Sequence, residues 1–362
     1  MALDIPSLAI AYFSVFGIYS ILAISLNLEY GYAGQPNFGQ VLFYGVGAFT
    51  AGIVSAILVR VFSGLPANGD ICSTSYELQR LSVYVTNGVF SISAWGVALI
   101  VAIAVGAIAG LLASYPALRV KEEWYLGMVL LVAGEMFRII TSNTPQYFCG
   151  FNGLAGLDEP FTYLDRITHN PVISNGIYTI VILAFAVACL FIAQRISNSP
   201  FGRVLKSVRD DRIAAEAAGK DINKVRRQIL VIGSAMAGLG GALYVFFIGV
   251  GIGSDFISAT TFALFVMIVL GGIGNNNGVL VGVALLTALQ RGAQILGIQL
   301  QSVYPNFDSN LLIYASYMIE AVILLLLLIY RPKGVFPEGR VKTKAYTLFD
   351  YEGRTQVERP EK

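Results

Sequence analysis

The chain has 362 residues, 56% of them hydrophobic and only 13% charged, with a formal net charge of +2 and a mean hydropathy of +0.69. That balance is too apolar for an ordinary soluble fold, and it lacks the concentrated basic face of a nucleic-acid binder. It predicts an all-α chain, a polytopic helical bundle in contact with membrane lipid.

In chain order, Met1 to Ser7 carries Asp4 and no Lys or Arg, so it lacks the basic region of a cleaved signal peptide, and the first apolar run is expected to stay in the protein. Apolar runs follow at Ile5 to Leu28, Phe38 to Phe62, Val89 to Ala113, Trp124 to Ile140 and Ile173 to Ala193. More come at Ile229 to Val250, Phe256 to Leu270, Val279 to Leu296 and Leu311 to Tyr330. A span takes about twenty residues. These runs predict nine spans, with eight to ten open because Phe256 to Leu270 is short enough to be a half-helix or a re-entrant arm.

Between the first two runs lies the break Asn27-Leu-Glu-Tyr-Gly-Tyr-Ala-Gly-Gln-Pro-Asn-Phe-Gly-Gln40, and a second break, Leu270-Gly-Gly-Ile-Gly-Asn-Asn-Asn-Gly278, interrupts the C-terminal part. Irregular backbone at membrane depth is tolerated where it is buried in protein or lines a water-filled cavity. Gly31, Gly34, Gln35, Asn37, Gly39, Gly271, Gly272 and Gly274 are therefore candidate pathway residues, and a plain turn between antiparallel spans is the alternative. Inside the apolar runs, the ionisable residues Glu135, Arg138, Arg291 and Glu320 stand out. Glu135 and Arg138 share a helix face and can neutralise one another, either beside a pathway or as a structural pair. Arg291 can snorkel beside Gln290 and Gln294, whereas Glu320 has no partner visible in sequence.

Basic residues orient the chain. Arg195, Arg203, Lys206, Arg209, Arg212, Lys220, Lys224, Arg226 and Arg227 cluster in one loop, and the tail after Tyr330 is also basic. Both are expected in the cytoplasm. The loop from Ser63 to Thr86 has only Arg80, and that from Thr141 to Pro171 has Arg166 against Asp158, Glu159 and Asp165, so both are expected outside. The N-terminus then lies outside and the C-terminus inside. Residues 1–330 form the membrane domain, residues 195–228 a cytoplasmic loop within it, and residues 331–362 a cytoplasmic tail. Cys72 and Cys149 both fall in the external loops, where an oxidising exterior permits a bridge between them; two unpaired thiols are the alternative. Cys189 sits in an apolar run.

The segment from Ser199 to Gly219 carries the strongest local signal. Phe201, Val204, Leu205, Val208 and Ile213 recur at near-helical spacing, and Gly219 can end the helix. This predicts one short amphipathic helix with its apolar stripe on a partner; a helix lying on lipid and a solvated loop are the competing readings. Asp210 and Asp211 argue against a purely lipid-binding role. The chain has no G-x-x-x-x-G-K-[ST] loop for binding ATP, and no cluster of metal ligands or paired nucleophile and base.

Several stretches resemble the branched-chain amino acid ABC importer permeases, in particular the LivM-type subunit. They are Gly31-Tyr-Ala-Gly-Gln35, Gly45-Val-Gly-Ala-Phe-Thr50, Asn152-Gly-Leu-Ala-Gly156, Gly202 to Gly219, Ala237-Gly-Leu-Gly-Gly-Ala-Leu-Tyr244, Val269-Leu-Gly-Gly-Ile-Gly274 and the closing Tyr330-Arg-Pro-Lys-Gly-Val-Phe-Pro-Glu-Gly339. The resemblance implies a transport subunit with no enzymatic activity or cofactor of its own. It would pair with a LivH-type permease, two cytosolic ATPases that bind ATP and Mg, and an extracytoplasmic solute-binding protein. It further implies that Leu205, Val208, Arg209, Asp210, Asp211, Glu216 and Gly219 belong to the loop that couples to the ATPases, although Gly219 follows Ala218 more closely than in the usual coupling loop of such importers. Urea and short-amide permeases share these motifs and are the alternative on substrate. A secondary transporter, with Glu135 and Glu320 as its ion-coupling carboxylates, is the alternative on mechanism.

Overall fold

A computed structural model describes residues 5–64, 71–118, 123–304, 308, 310–331 and 334–338, so most of the basic tail lies outside the described residues. Helix α1 (Ile5–Leu26) runs on into a wider π turn, Asn27–Tyr32. Next come α2 (Gln40–Phe62), α3 (Thr74–Thr86), α4 (Gly88–Leu118), α5 (Glu123–Asn143) and α6 (Pro145–Phe148). Strand β1 (Leu154–Ala155) and α7 (Tyr163–Thr168) lead to α8 (Pro171–Asn198), α9 (Pro200–Asp210), α10 (Arg212–Ala217) and α11 (Ile222–Ile248). Strand β2 (Val250–Gly251), α12 (Ser258–Gly271), α13 (Asn276–Val303) and α14 (Asn310–Tyr330) complete the order.

Among the described residues, 8 helical segments are long and apolar enough to cross a membrane, and α14 contributes the shorter apolar stretch Leu311–Leu327. Every predicted apolar run falls on one of these helices. The run at Phe256 to Leu270 is the short one: α12 has 14 helical residues, about 21 Å of rise, and approaches span length only with the preceding turn Gly253–Asp255. On α4, Ile100, Ile108 and Leu112 are exposed, as expected of side chains that meet lipid rather than water.

The core is centred on α11, which packs on α1, α2 and α4. In lipid, apolar side chains gain little by leaving the solvent, so close backbone approach and van der Waals contact hold helices together. The glycines serve that purpose here. A Cβ on Gly47 of α2 would overlap the Gly238 carbonyl, and one on Gly241 would overlap the Tyr44 carbonyl. Gly106 of α4 lies against Ser234 and Gly238 on the other flank of the same helix.

The two ends of the bundle differ chemically. At one end Cys72 and Cys149 form a disulfide, closing the alternative that sequence left open and tying the start of α3 to the end of α6. Arg80 reinforces that end, donating to the Ile71 carbonyl at 2.8 Å and to the Ala155 carbonyl at 2.5 Å. Beside it β1 pairs antiparallel with β2, Leu154 opposite Gly251, and Tyr84 hydrogen-bonds Ser55. The opposite end carries both glycine-rich breaks and the basic loop.

Candidate functional site

At the basic end, segments far apart in sequence converge. The π turn arises where the α1 helix reaches Asn27, whose side chain donates to Asn276 Oδ1 at 2.8 Å and accepts from the Gly274 amide at 3.0 Å. One asparagine thus bridges the first glycine break to the second. Two side-chain amides further stabilise this corner: Asn37 Nδ2 donates to Glu29 Oε2 at 2.7 Å and to Gln40 Oε1 at 2.8 Å, and Gln40 Nε2 donates to Ser25 Oγ at 2.5 Å. Asn37 Oδ1 accepts from the Gly39 amide at 3.0 Å.

Glu29 is completely buried, and its Oε1 has no hydrogen-bond partner. The carboxylate fits because Gly233 of α11 faces it, where a Cβ would overlap Oε1. Gln35 is equally enclosed, with neither amide atom paired. Gly39 is pressed against the Leu130 backbone of α5, and Gly271 against Gly278. Gly34, Gly272 and Gly274 have φ of +66°, +122° and +75°, conformations that L side chains adopt only under strain. The candidate pathway residues of the two breaks are thus brought together in one closely packed junction.

The closing motif forms a strap over this junction. The Val335 amide donates to the Leu270 carbonyl at 2.9 Å and the Phe336 amide to the Gly271 carbonyl at 3.0 Å, while Asn275 Nδ2 donates to the Phe336 carbonyl at 3.2 Å. Gly272 must be glycine because the Phe336 carbonyl occupies the place of its Cβ. At the end of the strap, Glu338 accepts from Lys206 Nζ at 2.7 Å and from Arg209 Nη1 at 2.9 Å. Arg209 Nη1 also donates to the Gly31 carbonyl at 2.5 Å, and its Nε contacts Asp210 at 3.0 Å. Burial opposes the charge on Arg209, yet Asp210 and Glu338 more than offset it and hold the guanidinium pKa above its ordinary value.

The loop differs from the expectation in two respects. The single amphipathic helix is two, because Asp211 leaves helical geometry and caps α10, its Oδ1 accepting from the Ala214 amide at 3.0 Å. The apolar stripe also has a different neighbour: Leu205 and Val208 are buried against this chain's own bundle. What faces outward is α10, with Ile213 80% exposed beside Asp210, Asp211 and Glu216. Gly219, at φ +75°, ends α10 as predicted.

Glu135 and Arg138 lie apart from the junction. They pair at 2.8 Å, as their spacing predicts, but the side chain that holds them in place was not legible: Ser258 Oγ donates to Glu135 Oε1 at 2.5 Å, at the N-terminus of α12. The pair thereby ties α5 to α12. Sequence reading also passed over Glu29, Asn27 and Glu338. Glu29 had a signal, a carboxylate within a glycine-rich break, whereas the partners of Glu338 lie more than a hundred positions away.

Residues 8–330 match the model of the branched-chain amino acid transport system permease component family. The chain is 32% identical to the probable branched-chain amino acid transport permease protein LivM of Methanocaldococcus jannaschii, over 95% of this chain and 96% of the relative. It is 24% identical to the high-affinity branched-chain amino acid transport system permease proteins LivM of Salmonella typhimurium and Escherichia coli, over 90% of this chain and 69% of each relative. No solved structure matches. The chain is thus a multi-pass membrane protein that belongs to the family of branched-chain amino acid transport permeases.

Proposed function

We propose that this chain is one of two permease subunits in an ABC importer for branched-chain amino acids. Its companion is a LivH-type permease, two cytosolic ATPases bind ATP and Mg, and an extracytoplasmic protein delivers the solute. The basic loop, residues 195–228, and the tail face the cytoplasm, because translocated segments carry few Lys and Arg. The disulfide end faces the oxidising exterior, and the N-terminus lies on that side.

The observation that carries this reading is the mounting of the loop. Helix α9 is fixed to the bundle by Leu205 and Val208 and by the bonds of Lys206 and Arg209 to Glu338 and Gly31, while α10 presents Ile213 outward. A push on α10 is thereby delivered to the π turn of α1 and, through the strap, to the α12–α13 break. That is what a coupling element needs: an adherent outer face and a rigid route to the spans.

Replacing Ile213 with Asp tests it. The variant is expected to insert and fold normally, since the side chain touches little of its own chain, and to lose most ATP-dependent uptake in the assembled importer. Undiminished uptake by the folded variant would contradict docking through α10.

A further inference from the structure

The first turns of α1 and α8 flank a crevice that neither the junction nor the α9 mount reaches. Deeper in the bundle the two helices are held together, because Ser14 Oγ and Thr179 Oγ1 share a hydrogen bond of 2.7 Å and Gly17 lies against Ile182. Towards the disulfide end they part around a cavity of about 370 Å³, far more than the ~10–15 Å³ that a single water needs. Ile10 and Ala11 of α1, Val172 of α8 and Phe247 of α11 give it apolar walls, and Asn175 and Glu159 line it with polar groups.

Glu159 sets the chemistry of the crevice. It is 8% exposed, it lines the cavity, and its Oε2 is buried with no hydrogen-bond partner. Among the described residues it enters no ion pair. Asp158 and Asp165 add negative potential instead of relieving it, and burial together with those two charges pushes the Glu159 carboxyl up to about 8. A carboxylate so enclosed and so placed calls for a cation. Among the described residues no three His, Cys, Asp or Glu side chains stand close enough to hold a metal ion, so an organic cation fits better. An ammonium group on a short alkyl stem matches one carboxylate set among aliphatic walls.

The position of the crevice selects the source of that ammonium group. It lies at the ends of two spans, Ile5–Tyr32 and Pro171–Asn198, where helices meet the headgroup layer of a bilayer. Ile5 and Ile173, on the same first turns, are exposed, as side chains facing acyl chains are. The α8 N-terminus brings the positive end of its helix dipole to the same place, and Asn175, whose Oδ1 accepts from Ser174, keeps its Nδ2 donors for an anionic group. We propose that the crevice binds the aminoethyl phosphate headgroup of a phosphatidylethanolamine-type lipid, with Glu159 accepting from the ammonium and Asn175 donating to the phosphate. This goes beyond the transport reading and does not depend on it: the seam of α1 and α8 is a receptor for one class of lipid.

The test is lipid binding to the delipidated full chain in detergent micelles, read by native mass spectrometry. Dioleoylphosphatidylethanolamine is expected to bind roughly tenfold or more tightly than dioleoylphosphatidylglycerol, which has the same acyl chains and no ammonium; that is the scale of one hydrogen-bonded charge. Glu159→Gln should erase the difference and leave phosphatidylglycerol binding unchanged. Ala11→Phe, which fills the crevice with every charge in place, should also remove the preference. Absence of phosphatidylethanolamine binding, equal affinity for the two lipids in the wild type, or an undiminished preference in Glu159→Gln would each overturn the assignment. Should Glu159→Gln fail to fold, Ala11→Phe decides, and a preference retained there overturns it. Two soluble amines separate the sources. O-phosphoethanolamine, the headgroup alone, and Nα-acetyl-lysinamide, standing for the lysine of a partner protein, should leave the lipid in place at equal concentration. Displacement by either would overturn the lipid reading in favour of a soluble ligand or a protein partner.

Discussion

Arg209 reaches Gly31, Asp210 and Glu338 at once, and Glu338 in turn holds Lys206. These groups are only partly buried, so their worth to overall stability is modest; exposed pairs contribute about 0–1 kcal/mol. Their positions predict a larger effect on coupling. Glu338→Gln and Arg209→Gln should each lower uptake per ATP hydrolysed, and the double variant should lose less than the sum of the two, because both remove the same link. Additive losses in a double-mutant comparison would show that strap and loop act separately. Sequence offered half of this picture: the spacing of Glu135 and Arg138 exposed their pairing, but Glu338 with Arg209, or Gln290 with Glu320, requires knowing which helices pack.

At the disulfide end, Glu159 is enclosed near Asp158 and Asp165, and burial first, then those two charges, push its carboxyl up to about 8. The folded state therefore holds a proton that the unfolded chain releases near the usual carboxylate value. Stability should fall as pH rises from about 4.5 towards 8 and level off above it, a loss on the order of a few kcal/mol at most. Glu159→Gln should flatten that slope and make the protein more heat-resistant at pH 9 than the wild type. Melting curves at pH 6 and pH 9 check this; identical pH dependence in both proteins would contradict it.

At the scale of elements, the long helices were legible because runs of about twenty apolar residues have few other solutions. The loop was read correctly as helical and incorrectly as one helix, since apolar spacing carries Ile213 along with Leu205 while Asp211 caps and restarts the chain. Which surface the stripe covers is a tertiary fact that spacing does not encode. Glycines permit the closest helix contact at the seam of α2 and α11, where Gly47 meets Gly238 and Gly241 meets Tyr44. Gly241→Val should abolish folded protein, because its Cβ would overlap the Tyr44 carbonyl and overpacking alone commonly costs about 1–3 kcal/mol. Gly96, whose Cβ would meet nothing, should accept alanine with unchanged yield. Detergent-solubilised yield and thermal stability of the two variants, compared side by side, check the pair.

For the whole molecule, the bundle has a disulfide-locked end and a strapped end holding both glycine breaks. The strap and the α9 mount are suited to transmitting force, and in the proposed importer that force comes from the companion ATPases. The most direct measurement is amino-acid uptake into liposomes with this chain alone and with the complete set of companion permease, ATPases and solute-binding protein. Concentrative, ATP-dependent uptake should appear only with the complete set and stop when the ATPases are inactivated. Concentrative uptake by the isolated chain, driven by a proton or sodium gradient, would contradict the account.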